Sequence, residues 1–195
     1  MKAFALIALL SSASAFAQEP PRPVYPLIDP AHRIEGKALA EALRAGGFVL
    51  FMRHVQQVTP QPQECSLAAL TPEGQAQATS VGESLRKLKI PIGHVRASTL
   101  CRASITARLM DMGPVQETGD LLPGSDPAVA ARRRQLAESP KPGTNTLLVS
   151  HIQGAEQPGD RMQFQLAEVI VFRPDGRGGS TPVARVRAEE WSSLE

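Results

Sequence analysis

The sequence offers little to a nucleic acid. Its net charge is only +2 and aromatic residues make up 4% of it, whereas such binding needs clustered cations for phosphates and aromatic faces for bases. No nucleic-acid partner is expected. Long apolar runs are lacking too: Ala3 to Leu10 falls well short of the roughly 20 residues that a spanning helix requires, and no later segment reaches that length. The mature chain should carry no membrane span. There is no internal repeat, and no HExxH or comparable cluster of His, Asp and Glu. A metal hydrolase built on His54 and His151 would therefore lack its further ligands, and neither a metal nor a cofactor is expected. Cysteine is scarce, with only Cys65 and Cys101.

What is present begins with a leader pattern. Lys2, the apolar run and the small residues ending Ala15-Phe16-Ala17 read as a signal peptide over residues 1–17 with an A-x-A cleavage site. The mature protein should begin at Gln18 and be periplasmic or secreted. Residues 18–30 contain five prolines, which cannot donate ladder hydrogen bonds, and form a linker or a wrapped arm. Residues 31–195 are long enough for one domain with its own core. In an oxidising compartment Cys65 and Cys101 can pair as a disulfide, a buried free thiol being the other reading.

Within the domain, Asp29-Pro30 resembles an N-cap and first-turn proline for a helix from about Ala31 to Ala45, closed by Gly46-Gly47. Phe48 to Met52 is a continuous apolar run of the kind found in strands buried on both faces. Thr71-Pro72-Glu73 opens a helix to about Lys87 with a cap, a first-turn proline and an acid at the positive end of the dipole. Short strands are expected at His94 to Ala97, at Val115-Gln116 and at Thr146 to Val149, with helices at Arg102 to Met110 and Pro127 to Glu138. Arg132-Arg133-Arg134 then read as the solvated face of that last helix. Glu168 to Arg173 and Val183 to Arg187, split by Pro174-Asp175-Gly176, form a closing hairpin. The alternation implies an α/β fold: a mostly parallel central sheet with helices on both faces and a C-terminal hairpin at its edge.

Two of the four histidines, His54 and His151, each follow one of the buried strands. Catalytic groups in open α/β sheets collect at the carboxyl ends of strands, so both should face one crevice. Arg53 stands beside the first, and Arg102 opens a helix after the strand near Val95. Two guanidinium forks and a helix end suit an oxyanion such as phosphate. A neutral imidazole in such a site can attack phosphorus when its other nitrogen is held, while the second histidine donates to the phosphoryl oxygens. His32 and His94 carry no such pattern and read as structural.

These residues fall in motifs that resemble those of the histidine phosphatase superfamily, which includes phosphoglycerate mutases, acid phosphatases and phosphohistidine phosphatases. The likeness runs from about Phe48 to Val171. Phe48 to His54 is similar to the strand entering the RHG motif, and Leu70-Thr71-Pro72-Glu73-Gly74-Gln75-Ala76-Gln77-Ala78 to the LTxxGxxQA helix. Ala97 to Ala103 with Thr106-Ala107 is similar to the SxxxRAxxTA segment, and Leu147 to His151 to the VxxSH strand end. The resemblance implies a phosphoglycerate mutase-like fold and a metal-independent phosphatase. His54 would be the nucleophile, with Arg53, Arg102 and His151 holding the phosphate. Val55 and Ile152 replace two family glycines, where a β-branched side chain can obstruct close backbone approach; a binding or sensing protein that keeps the pocket without turnover is the alternative.

An alkyl phosphate also needs a proton donor for its leaving oxygen. In the family it lies either after the RHG motif, where Glu64 is available, or after the second arginine helix, where Glu117 and Asp120 stand. Glu64 is favoured because Val55 to Gln63 has no other acid and the chain returns there toward Thr71. The expected partner is a small phosphorylated substrate or a phosphorylated envelope component, the latter from location alone.

Overall fold

A computed structural model describes residues 28–124, 126–151 and 165–194. The expected signal peptide, nearly all of the proline-rich arm and Ile152 lie outside these residues. Six strands, β1 (Val49–Arg53), β2 (Ile92–Ser98), β3 (Val115–Thr118), β4 (Asn145–Ser150), β5 (Val169–Pro174) and β6 (Ser180–Val186), form one sheet in the order β3-β2-β4-β1-β5-β6. The first four in that order pair in parallel, and β5 and β6 add an antiparallel hairpin beside β1. The sheet is thus mixed, with its parallel part in the four strands and its antiparallel part in the expected hairpin.

The apolar runs of β1 and β4 lie in register at the sheet's centre, Leu50 opposite Leu147 and Met52 opposite Val149. Because side chains alternate across a strand, each run feeds two cores. Leu50, Met52, Leu147 and Val149 pack on one face with helices α1 (Gly36–Ala45), α2 (Pro72–Lys87) and α3 (Cys101–Leu109) and with Trp191 of a 3-10 turn at Ala188–Leu194. Val49, Phe51, Leu148, Ile170 and Phe172 face the other way, against Leu121 and against Leu136 of α4 (Asp126–Ala137). Burying each such side chain contributes roughly 1.5–3 kcal/mol.

Helix α2 forms as its sequence dictates, the Thr71 side chain accepting from the Gly74 N–H at 3.1 Å and Pro72 filling the first turn. The start of α1 differs from expectation. Asp29 caps a turn instead, its Oδ1 accepting from Ala31 N–H at 2.9 Å. After that turn Ile34 N–H bonds Val183 O at 2.8 Å, which ties the chain to β6, and the helix begins at Gly36. The arginine run also divides. Arg133 and Arg134 are exposed, but Arg132 is 1% exposed and donates through Nη1 to Leu122 O. Three successive helical residues sweep most of a turn, so the first of them falls on the buried face.

Candidate active site

Parallel pairing brings the carboxyl ends of β1, β2 and β4 to one edge, where Arg53 lies opposite Ser150 and Ala97 opposite Val149. His54 and His151 are the next residues of their strands, and the His54 N–H bonds Ser150 O at 3.0 Å. Their ring centroids are 5.3 Å apart and the planes stand at 63°. With Arg53 and Arg102 they line a cavity of about 420 Å³. The four residues read from the sequence as a phosphate site are brought together.

His54 is held through one nitrogen. Its Nδ1 lies 2.8 Å from Val55 O, which as a carbonyl can only accept, so Nδ1 carries the proton and Nε2 the lone pair. Arg102 Nε–H donates to that Nε2 at 3.1 Å. The lone pair therefore rests against a cation, with no proton of its own. Burial pushes the imidazole down to about 4; the bond to Val55 opposes this, and Arg102 and Arg53 add to it. At neutral pH the ring is neutral, with its proton on Nδ1 and its lone pair on Nε2.

His151 is 3% exposed. Burial first, and then the positive charges of Arg102, His54, Arg132 and Arg53, bring it down to about 3. Its Nε2 lies 2.9 Å from the hydroxyl of Ser98, the last residue of β2. Desolvation lowers Arg53 and Arg102 as well. Poorly hydrated guanidinium groups facing two neutral imidazoles favour a dianion that restores their solvation.

Among the described residues, the rest of the wall is uncharged: Gln56, Gln57, Pro123 and Leu166. The loop that carries the glutamines is fixed by α2 and α3. Thr71 N–H bonds Gln56 O at 3.1 Å, and a Cβ on Gly74 would come within 2.3 Å of that same oxygen. The glycine in the second motif thus lets helix α2 approach the backbone after His54. Thr106 Oγ1 donates to Arg102 O at 2.6 Å and accepts from Val55 N–H at 3.3 Å. The Val55 peptide is therefore held at both ends, by Thr106 and by the His54 ring. Its side chain is fully buried in the larger core and is absent from the cavity wall. At this position the branched residue does not obstruct the site, while the position of Ile152 lies outside the described residues.

Of the candidate proton donors, none lines the cavity. Glu64 is exposed on its loop. Cys65 and Cys101 are joined in a disulfide with Cα atoms 5.3 Å apart, so the residue after Glu64 is tied to the residue before Arg102. Glu117 Oε1 accepts from Ser104 Oγ and from Arg108 Nη2, each at 2.6 Å. Asp120 Oδ2 accepts from Gln135 Nε2 at 3.0 Å. His32 is exposed, and His94 sits within β2 opposite Thr146, away from the cavity wall.

Sequence reasoning missed Ser98, Thr106 and the two glutamines as parts of the site. Ser98 ends a strand beside β4 and was open to the same strand-end argument as the histidines. The glutamines directly follow His54. Thr106 stands one helical turn after Arg102 in the helix expected there, and its hydroxyl reaches back to the Arg102 carbonyl, a contact that the four-residue spacing already offered.

The model of the histidine phosphatase superfamily (branch 1) matches residues 49–121. No match was found among curated proteins. Among solved structures, the chain is similar to the protein histidine phosphatase SixA complexed with tungstate, with a TM-score of 0.59 and 22% identity over 73% of this chain and 98% of that one. It is also similar to a mutant phosphoserine phosphatase from Entamoeba histolytica in complex with phosphoserine, with a TM-score of 0.50 and 14% identity over 73% of this chain and 98% of that one. At these identities the likeness is one of fold.

Proposed function

We propose that the chain, whose residues 49–121 match the model of the histidine phosphatase superfamily, is a metal-independent phosphatase of that kind and hydrolyses phosphate monoesters through a phosphohistidine formed on His54. The observation that carries this reading is the His54 ring, whose Nδ1 is committed to Val55 O while Nε2 turns to Arg102. A phosphoryl group seated between Arg53, Arg102 and His151 draws the Arg102 guanidinium onto its oxygens and uncovers the lone pair. Nε2 then bonds to phosphorus as the ester P–O bond breaks, and the leaving oxygen takes a proton. Water attacks the phosphohistidine in a second step, the P–N bond breaks, and inorganic phosphate leaves.

Glu64 is the proposed donor of that proton. The disulfide next to it, anchored beside Arg102, supports its place at the cavity margin, and Glu117 and Asp120 are already engaged elsewhere. The substrate is proposed to be a small phosphorylated molecule whose leaving portion would meet Gln56, Gln57, Pro123 and Leu166. An envelope phosphate would rest on location alone. That location is itself a proposal: the leader pattern and a disulfide both fit an exported chain. An intact mass starting at Gln18 from an envelope extract is expected, and retention of Met1 to Ala17 there would exclude export by cleavage.

The activity is tested by screening the purified protein against a panel of phosphomonoesters, with vanadate as inhibitor. Turnover, lost in His54→Ala, is expected. Tight phosphate binding with no hydrolysis of any ester would favour the binding or sensing alternative.

A further inference from the structure

We infer that Ser98 is a positioning residue that selects the tautomer of His151, holding Nε2 unprotonated so that Nδ1–H is the donor left for a bound phosphoryl group. The inference rests on the reading of the cavity as a phosphoryl site. Ser98 is fully buried, and its Oγ has two partners among the described residues: Leu100 N–H at 3.3 Å and His151 Nε2 at 2.9 Å. The amide can only donate, so it occupies a lone pair of the hydroxyl. The hydroxyl keeps one proton to give, and the imidazole nitrogen is the acceptor within reach. With Nε2 accepting, a neutral ring must carry its proton on Nδ1.

The opposite arrangement fails on both sides. If Nε2–H donated to Ser98, the hydroxyl would accept twice and its own hydrogen would point at nothing polar among the described residues, a costly state for a buried donor. Nδ1 would then offer a lone pair to an oxyanion, which is repulsive where attraction is needed. Nδ1 is buried and has no hydrogen-bond partner among the described residues, and His151 is one of the residues that line the cavity. The choice matters because burial keeps this imidazole neutral at physiological pH. An imidazolium would donate from both nitrogens, whereas a neutral ring donates from one.

The test is nitrogen NMR of the full chain labelled with ¹⁵N-histidine at pH 7, with and without inorganic phosphate, alongside kinetics of Ser98→Ala and Ser98→Thr. In the unmodified protein His151 should show a protonated Nδ1 and a bare Nε2, the Nδ1 signal shifting when phosphate is added. Ser98→Ala should lose that single tautomer and lower kcat by about tenfold to hundredfold with a smaller change in KM. Ser98→Thr, which restores the hydroxyl, should recover both. A proton on Nε2 in the unmodified protein would overturn the inference even if no variant folded. So would a Ser98→Ala protein that keeps the Nδ1 proton and full kcat. The tautomer is read without substrate, so a failure of the phosphatase reading, seen as no hydrolysis of any ester, is distinguishable from a failure of this one.

Discussion

The carboxyl ends of β1 and β4 lie side by side, each closes in a histidine, and the two rings are held by opposite nitrogens. His54 gives its Nδ1 proton to the carbonyl of the next residue, whereas His151 meets a side chain from a third strand through Nε2. The first arrangement is local and leaves the lone pair farther from the backbone. The second depends on sheet order, since Ser98 reaches His151 because β2 pairs with β4. On the proposed mechanism one residue type thus supplies a nucleophile at one strand end and a donor at the other, and the difference lies in the partner of the ring rather than in the ring.

The two ends should break unequally. His54→Ala removes the proposed nucleophile, and kcat should fall by more than about 10³-fold. His151→Ala removes one proposed donor to the phosphoryl oxygens and should cost about 10²–10³-fold, with the covalent route intact. Equal and total loss in both, with a phosphorylated species in neither, would make the pair a joint ligand set rather than a nucleophile and a donor. A smaller effect is expected from Glu64→Gln. It should slow an alkyl phosphate by about 10²-fold yet change an aryl phosphate by no more than about threefold, because the aryl leaving group needs little protonation. Selective loss in Glu117→Gln or Asp120→Asn, with Glu64→Gln unaffected, would move the donor to the far side of α3.

Much of this contrast was legible in the sequence, and its limits have physical causes. Continuous apolar runs before Arg53-His54 and Ser150-His151 place both histidines at strand ends, and Thr71-Pro72 fixes the start of α2 to the residue. Local rules settle these. Arg132 was misread because a charged run looks alike whichever way its first side chain faces, and only the packing of α4 on the second core decides that. The start of α1 was misread because a bond from Ile34 N–H to Val183 O, about 150 residues away in the chain, overrides a local capping signal. Val55 raised a concern that the fold removes, since its side chain turns into the core and its peptide does the holding.

The buried rings also bear on stability. Both histidines are lowered in the fold, to about 4 for His54 and about 3 for His151, against about 6.5 for an unfolded chain. The unfolded state therefore binds more protons below pH 6.5. Their contribution is fully present above that pH and is lost as pH falls through 6 toward 4 and then 3. Thermal unfolding followed from pH 7.5 to 4 should show Tm falling on the acid side, with a shallower fall in a protein carrying both His54→Ala and His151→Ala. An unchanged slope in that double variant would show that the two rings are not buried as neutral groups. The disulfide adds a term without pH dependence in this range: closing a loop with a separation of 36 residues should stabilise the fold by about 4 kcal/mol, read as a loss of that order in denaturant unfolding of a Cys65→Ser, Cys101→Ser protein.

The most direct measurement of the central claim is to mix the protein with a turning-over aryl phosphate, quench in alkali within the first turnovers, and locate the phosphoryl group by peptide mass spectrometry. Alkaline quenching is chosen because a P–N bond to histidine is labile to acid. The account predicts a phosphoryl adduct on His54 in the unmodified protein and in His151→Ala, and none on His151. Steady turnover with no adduct on His54, or an adduct carried by His151, would contradict it.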